Sequence, residues 1–193
     1  MILPIYLYDA PVLSSKTARL TDINDEVLAL AMNMLETMGR ANGIGLAANQ
    51  VGKGIALTVV DVSKTDGNEE MKPLVLINPE ILEDDGEAVF EEGCLSLPEL
   101  RADVVRPSDI LVRYTDLSMK EHTLETGGLQ ARVIQHEIDH LNGIYFFERL
   151  PGIKRTLVKP QLNRIRKGEI EAEYPIVVTP HAPARMSRAA SRG

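Results

Sequence analysis

The stretch QHEIDHLNG, residues 135–143, carries two histidines and a glutamate in the spacing HExxH. His136 and His140 are four residues apart, so on a helix they lie on one face, where both can bind one metal ion. Glu137 follows the first histidine and is well placed to accept a proton there. A metal site needs at least one more protein ligand, and the source of that ligand decides which class of protein this is.

The residues after the motif do not supply that ligand in the usual protease pattern. One extended zinc-protease pattern places a third histidine at position 146 of this chain, where the residue is Phe146. Another protease class uses a glutamate further along the chain. Residues 151–168 contain no acid, and the glutamates at 169, 171 and 173 come later than that pattern favours, although they are not excluded.

Cys94, in the stretch EEGCLSLP (91–98), is the remaining candidate. A thiolate binds a dipositive transition metal well, and one thiolate with two imidazoles leaves a fourth position for water. A lone cysteine is more often a small buried core residue. The HExxH motif in the same chain makes the ligand interpretation the stronger one.

Composition is that of an ordinary globular protein. Of 193 residues, 44% are hydrophobic and 25% are charged, and the net charge of −7 does not favour general nucleic-acid binding. The single cysteine excludes an internal disulfide. The opening MILPIYLYDAPVLSS lacks the basic start and long apolar run of a signal peptide or membrane span. We therefore expect a cytoplasmic protein with no DNA or membrane partner.

The first clear element is a helix near the N-terminus. Apolar residues recur at three- and four-residue spacing over 25–38, and Asn24 is placed to cap the helix. Gly39 and Gly43 are expected to end it. Short β-like runs follow, separated by turn-rich stretches, which favours antiparallel pairing. These runs are 55–62, 73–78, 87–90, 109–116 and 121–126.

The second half of the chain predicts two more helices. One covers about 128–141 and contains the HExxH motif, with Gly143 as its stop, and the other lies in the basic stretch 153–169, where Pro160 starts or kinks it. The pattern predicts an α+β fold, with mostly antiparallel short strands around a central HExxH helix. We expect one domain over residues 1–179 and a disordered basic tail over 180–193.

Three segments together resemble one enzyme family. GIGLAANQVG (43–52), EGCLSLP (92–98) and QHEIDHLNG (135–143), in this order, are similar to the motifs of peptide deformylase, in the group typical of Gram-negative bacteria. The likeness extends over about residues 2–178. One departure is Asn49, where the family often has proline. It leaves Gln50 in place, so the resemblance still implies activity.

The resemblance implies removal of the formyl group from the N-terminal formylmethionine of newly made proteins, with release of formate. It implies one Fe²⁺, replaceable by Ni²⁺, Co²⁺ or Zn²⁺, whereas the donor set alone does not choose between these metals. The implied ligands are Cys94, His136 and His140. Glu137 would be the general base and acid on metal-bound water, and the Gln50 side chain and Leu95 N–H would stabilise the oxyanion.

The substrate chain, by the same resemblance, binds in extended form like an added strand. Gly43 and Gly45 allow a close approach of the backbone, and Arg101 is a candidate for contacting the peptide. The resemblance also implies a pairing of Asp139 with Arg106. The remaining substrate-binding candidates are Gly93 beside the cysteine and the aliphatic residues Ile44, Leu129 and Val133, which match the methionine pocket.

A basic run without acids lies at 154–167. Its cations are Lys154, Arg155, Lys159, Arg164, Arg166 and Lys167. The run is either a solvated face or, as the resemblance suggests, a contact with the ribosome near the exit of the nascent chain. Two other functions remain open on the sequence, a metallopeptidase and a catalytically inactive binding protein that retains the metal or peptide site.

Overall fold

The computed structural model describes residues 1–179, so the expected tail at 180–193 lies outside the described residues. The elements are three helices, nine strands and two short 3₁₀ turns in this part of the chain. The helices are α1 Asp25–Arg40, α2 Gly128–Leu141 and α3 Gly152–Arg166, and the 3₁₀ turns are Ala48–Val51 and Phe146–Arg149. The strands are β1 Ile5–Tyr6, β2 Gly45–Ala47, β3 Leu57–Val60, β4 Leu74–Asp85, β5 Ala88–Cys94, β6 Leu97–Arg106, β7 Asp109–Thr115, β8 Glu121–Gly127 and β9 Ile176–Val177.

Helix α1 begins where its sequence predicts. The Asn24 side chain accepts a hydrogen bond from the Val27 N–H at 3.0 Å, which satisfies one of the free donors of the first turn. Ala31, Met34 and Met38 are buried at the expected helical spacing, and the helix packs against β2 and β3. The helix runs one residue past Gly39, and the left-handed residue after it is Asn42, with φ +54°.

A five-stranded sheet in the order β2-β3-β4-β7-β8 forms the main layer, and all its pairings are antiparallel. Every residue of β3 is buried, since α1 and α2 both pack on it. The expectation of an α+β fold with mostly antiparallel strands is therefore confirmed. Strand β2 is at the edge of this sheet, and one side of its backbone remains unpaired within it.

The hairpin of β5 and β6 differs most from the sequence prediction. The run predicted at 87–90 extends to Cys94, and no strand was expected at 97–106, where β6 lies. Strand β6 alternates buried and exposed residues, with Leu100, Val104 and Arg106 facing inward. The early Pro98 argues against a strand, and Arg106 hides the alternation because a charged residue is expected to be exposed.

Helix α2 is buried from Gln130 to Leu141, including its polar residues, so those side chains need partners inside the protein. It ends before Gly143, whose φ is +76°, and a side chain there would lie 2.8 Å from the Ser14 backbone. Helix α3 begins at Gly152 with Pro160 in its interior, so the interpretation that Pro160 starts this helix is wrong. Only Leu162 and Ile165 of α3 are buried.

The two ends of the described chain meet in a pairing that the sequence did not predict. Strand β9 pairs in parallel with β1, aligning Ile176 with Ile5 and Val177 with Tyr6. Two-residue strands carry too little periodicity to be recognised from sequence. Within residues 1–179, no helix is both long enough and apolar enough to cross a membrane.

Candidate active site

A cleft of about 610 Å³ lies between the β5–β6 hairpin, the segment before and within β2, and helix α2. Its lining contains every residue that the sequence singled out for catalysis, metal binding or substrate binding, except His140. His140 is not among the lining residues and is almost fully buried. Residues that are more than forty positions apart in the sequence are thus brought to one site.

Cys94, His136 and His140 meet in this site. One potential ligand atom from each residue lies within 4.8 Å of the other two, and Cys94 Sγ is 3.1 Å from His140 Nε2. Burial and the charge of His136 lower the pKa of His140, which keeps its imidazole neutral with a lone pair available. A thiolate and two imidazoles are a donor set that suits a transition metal, so these residues fit such an ion.

Phe146 occupies the position where the extended protease pattern needs a third histidine. Its ring stacks on that of His136, with the ring centroids 5.9 Å apart. This residue belongs to a hydrophobic cluster under the site and has no donor atom for a metal. The geometry therefore agrees with Cys94 as the third donor and disagrees with the protease pattern.

Glu137 lines the cleft from the same helix as the histidines. Burial raises the pKa of Glu137 to about 7, against the opposing charge of His136. Its Oε2 is buried and has no hydrogen-bond partner within residues 1–179. Gly45 gives this carboxylate room, because a side chain at Gly45 would collide with Glu137 and lie 2.6 Å from Val133 Cγ1. An unpaired buried carboxylate that titrates near neutral pH is suited to proton transfer.

Gln50 is aimed at the cysteine by the 3₁₀ turn Ala48–Val51. Its Oε1 accepts a hydrogen bond from the Ala47 N–H at 2.8 Å, which fixes the orientation of the amide. The amide nitrogen is then directed to the site, 3.2 Å from Ser96 Oγ and 3.5 Å from Cys94 Sγ. A donor held in this way is already oriented before any substrate arrives.

The remaining predicted residues line the walls of the cleft. Gly43, Ile44 and Gly45 lie along one wall, and a side chain at Gly43 would lie 2.9 Å from Leu95 Cδ1. Arg101 is largely exposed and only loosely paired with Glu91, at 3.7 Å. Gly93, Leu129 and Val133 complete the predicted set in the lining.

A sequence model of the polypeptide deformylase family matches residues 2–156, which is most of the chain. The chain belongs to the peptide deformylase family. A peptide deformylase of Chlorobaculum parvum is 45% identical to it over 183 residues, covering 95% of this chain and 97% of that protein. The crystal structure of the peptide deformylase of Thermus thermophilus is 42% identical, with a TM-score of 0.80, and the match covers 87% of this chain and 99% of that one.

A more distant structure agrees. The peptide deformylase of Legionella pneumophila is 32% identical, with a TM-score of 0.79, and the match covers 88% of this chain and 98% of that one. The resemblance drawn from the three motifs is therefore confirmed. Membership makes this chain a hydrolytic, metal-dependent enzyme of protein synthesis, whose family acts on N-formylmethionyl nascent peptides.

Glu92, which the sequence analysis did not single out, also contacts the metal-ligand candidates. Glu92 Oε2 lies 2.8 Å from His136 Nδ1, so Nδ1 keeps its proton and Nε2 is the ring nitrogen available to a metal once the charged ring gives up its other proton. Burial opposes ionisation of Glu92, but hydrogen bonds from His136 and Arg106 outweigh it and hold the pKa of this carboxyl well below its usual range. Glu92 precedes Cys94 by two residues on β5, so strand periodicity puts both on one face and was the available signal.

Two arginines, Arg106 and Arg132, connect Glu92 on β5 to helix α2. Arg106 donates to Glu92 Oε1 at 2.6 Å and to Asp139 Oδ2 at 2.6 Å, so the implied pairing with Asp139 is confirmed. Arg132 donates to Glu92 Oε1 at 2.8 Å and to the Val104 carbonyl at 3.0 Å. Arg149 adds a further ion pair to Asp139. Neither Arg132 nor Arg149 was expected from the sequence, because each pairs with a residue of another element.

Asn49, the departure from the usual deformylase motif, has a visible role. Its side chain is fully buried, and its Nδ2 donates to the carbonyl oxygen of His140. Proline has no side-chain donor for such a bond. Asn49 therefore ties the turn that carries Gln50 to the C-terminal end of α2.

Proposed function

We propose that this chain removes the formyl group from the N-terminal formylmethionine of newly made proteins, producing formate and a free amine. The observation that supports it is that a buried carboxylate and an oriented amide line one cleft beside a cluster of three metal-ligand candidates, two of which line that cleft as well. Glu137 and Gln50 both line that cleft, beside Cys94.

We propose that Cys94, His136 and His140 bind one metal ion, natively Fe²⁺, with Ni²⁺, Co²⁺ or Zn²⁺ able to replace it. When bound, the ion supplies Lewis acidity toward water and toward the formyl oxygen. Glu92 and the arginines around it hold His136 in the orientation that exposes Nε2.

Glu137 is the proposed general base and general acid. Its buried carboxylate, with a pKa of about 7, takes a proton from the attacking water and passes it to the departing nitrogen. The missing hydrogen-bond partner of Oε2 within residues 1–179 supports this role, because a carboxylate already satisfied by the protein would be a poorer proton acceptor.

Gln50 and the Leu95 N–H are the proposed donors to the oxygen that becomes negative during attack. Such donors are typically worth about 3–4 kcal/mol each in comparable sites. Gln50 is held by its Oε1, and Leu95 follows Cys94 in the turn at the end of β5. Both residues therefore lie beside Cys94, one of the proposed ligands.

The substrate chain is proposed to lie along the open edge of β2, since β2 is at the edge of its sheet and borders the cleft. The methionine side chain would enter the apolar part of the lining formed by Ile44, Leu129 and Val133. Arg101, with its side chain exposed on the opposite wall, would contact the peptide further along.

We propose that residues 1–179 form a single catalytic domain that acts in the cytoplasm and docks on the ribosome through α3. The basic side chains of the run 154–167 are exposed, apart from the half-buried Arg166. Their local positive charge, on a chain of net charge −7, would favour an RNA surface.

The test uses the whole protein, prepared anaerobically with Fe²⁺ and analysed for metal content. Incubation with formyl-Met-Ala-Ser, followed by mass spectrometry, should give formate and Met-Ala-Ser and nothing else. Cleavage of a backbone bond would identify a metallopeptidase instead. Intact peptide with a full metal site would favour a binding protein that has lost catalysis.

A further inference from the structure

The segment after α3 returns to the cleft and contacts the proposed oxyanion donor. Residues 171–174 line the cleft, and the Tyr174 hydroxyl donates a hydrogen bond to the Leu95 carbonyl at 2.8 Å. The Tyr174 ring is partly buried and packs against the hydrophobic cluster beneath α1 and β3. Tyr174 lies beyond the residues matched by the family model, which end at 156.

The turn that receives this hydrogen bond carries three groups of the site. Cys94 supplies its thiolate, Leu95 its N–H, and Ser96 a hydroxyl that lies 3.2 Å from Gln50 Nε2. Cys94 pairs with Leu97 across the turn, but the strand register shifts between Gly93 and Cys94, so this closing pair is out of step with the rest of the hairpin. Two further contacts hold the backbone carbonyls of the turn.

Those contacts come from the two ends of the described chain. The Tyr8 N–H donates to the Ser96 carbonyl at 3.0 Å, and Tyr174 binds the carbonyl just before it. Tyr174 is itself anchored, because the next residue, Pro175, accepts a hydrogen bond from the Ile5 N–H at 2.8 Å and leads into β9. The residues that flank the β1–β9 pair, Tyr8 and Tyr174, therefore hold both carbonyls of the turn.

We propose that Tyr174 is a positioning residue for the reaction, which acts by fixing Leu95 so that its N–H faces the developing oxyanion. The inference rests on the proposed function, since it needs Leu95 as a donor. The Leu95 carbonyl and N–H belong to successive peptide planes that meet at its Cα, so holding one restricts the other. Oxyanion donors act through preorganisation, and a small loss of alignment lowers the rate.

The test compares Tyr174→Phe with Tyr114→Phe, each as the whole metal-loaded protein. Phenylalanine keeps the ring packing and removes only the hydroxyl. Tyr114 lies on β7, stacked on His122 and outside the cleft lining, and serves as the matched control. We expect kcat of Tyr174→Phe to fall about three- to tenfold, the usual effect of one hydrogen bond, while KM changes less than about twofold.

Metal content should be unchanged in both variants, and Tyr114→Phe should match the wild type in kcat and KM. The kcat-specific loss is the decisive result, because an interaction made only in the transition state changes kcat and leaves KM alone. If the wild type removes the formyl group and Tyr174→Phe is equally active, this inference is overturned and the proposed function stands. A loss of metal together with kcat would also overturn it, since Tyr174 would then support the ligand and not the donor. An inactive wild-type protein would overturn the proposed function and this inference with it.

Discussion

At the scale of single residues, the three proposed metal ligands come from two elements, helix α2 and strand β5. The two histidines share a face of α2, and Cys94 reaches them from the end of β5, 3.1 Å from His140. The helical pair was recognisable from spacing alone, because four residues nearly complete one turn. The cysteine was found by elimination in the sequence, and its position could not be deduced without the fold.

Replacing Cys94 tests the proposed donor set. Cys94→Ser should lose the metal or nearly all activity, because a hydroxyl is a poorer ligand for these ions than a thiolate. Metal analysis by mass spectrometry and the formyl-peptide assay on the same anaerobic sample measure both effects. A variant with full metal content and full turnover would remove Cys94 from the ligand set.

Replacing Glu137 separates proton transfer from metal binding. Glu137→Gln keeps the shape of the side chain and all three proposed ligands, so metal content should remain at the wild-type level. Turnover should fall by about 10²–10⁴-fold, the usual contribution of a general base. Glu125→Gln, on an exposed position of β8, is the matched control and should be unchanged. Retention of more than about a tenth of wild-type kcat would exclude Glu137 from this role.

On the scale of secondary-structure elements, buried ion pairs hold helix α2 against the β5–β6 hairpin. Arg106 is almost fully buried between Glu92 and Asp139, whereas Arg113 pairs with Glu80 at the surface. Arg106→Ala would leave two carboxylates buried without their shared partner. We expect the free energy of unfolding to fall by about 3–5 kcal/mol, and the metal affinity to fall with it.

Denaturant unfolding of the metal-free and metal-loaded proteins measures this difference. Arg113→Ala is the matched control, since it removes the same side chain from an exposed pair, and it should change stability little. Equal effects of the two substitutions would show that the Arg106 network contributes nothing beyond an ordinary surface ion pair.

The elements also show where sequence reasoning stops. Helix α1 was predictable because a cap and an apolar repeat agree, and β3 and the start of β4 were predictable because their apolar runs are continuous. Strand β6 was not, because its inward positions include Arg106, whose partners lie on other elements. Glu92 was missed for the same reason. A buried charge looks like a surface residue until its partner is known.

On the scale of the whole molecule, the two ends of the described chain meet in the β1–β9 pair. In the sequence, helix α3 lies between helix α2, which carries the HExxH motif, and β9. Helix α3 presents basic side chains together with two exposed apolar residues, Ile153 and Leu157. The chain as a whole is acidic, with a net charge of −7, so this helix is a local exception. Docking on the ribosome and plain solvation of a charged face predict different responses to salt.

Removing the basic charge of α3 distinguishes docking on the ribosome from plain solvation of a charged face. The variant replaces Lys154, Arg155, Lys159, Arg164, Arg166 and Lys167 by glutamine. We expect weaker binding in a ribosome pull-down and a flatter dependence of that binding on salt concentration, because fewer counterions would be released. Turnover of a short formyl peptide should barely change, since none of these six side chains lines the cleft.

A charge-matched control separates the location of the charge from its amount. It replaces six exposed basic residues elsewhere, namely Lys16, Arg40, Lys53, Lys64, Lys72 and Lys120, and so lowers the net charge equally. Ribosome binding should survive in this control if α3 is the docking element, because steering at a surface depends on where the charges lie. If both variants lose ribosome binding equally, net charge explains the effect and its location on α3 does not. If binding is unchanged in the α3 variant, the basic run is only a solvated face. A collapse of the peptide assay in the α3 variant would mean that the helix supports the fold, so docking would no longer explain its charges.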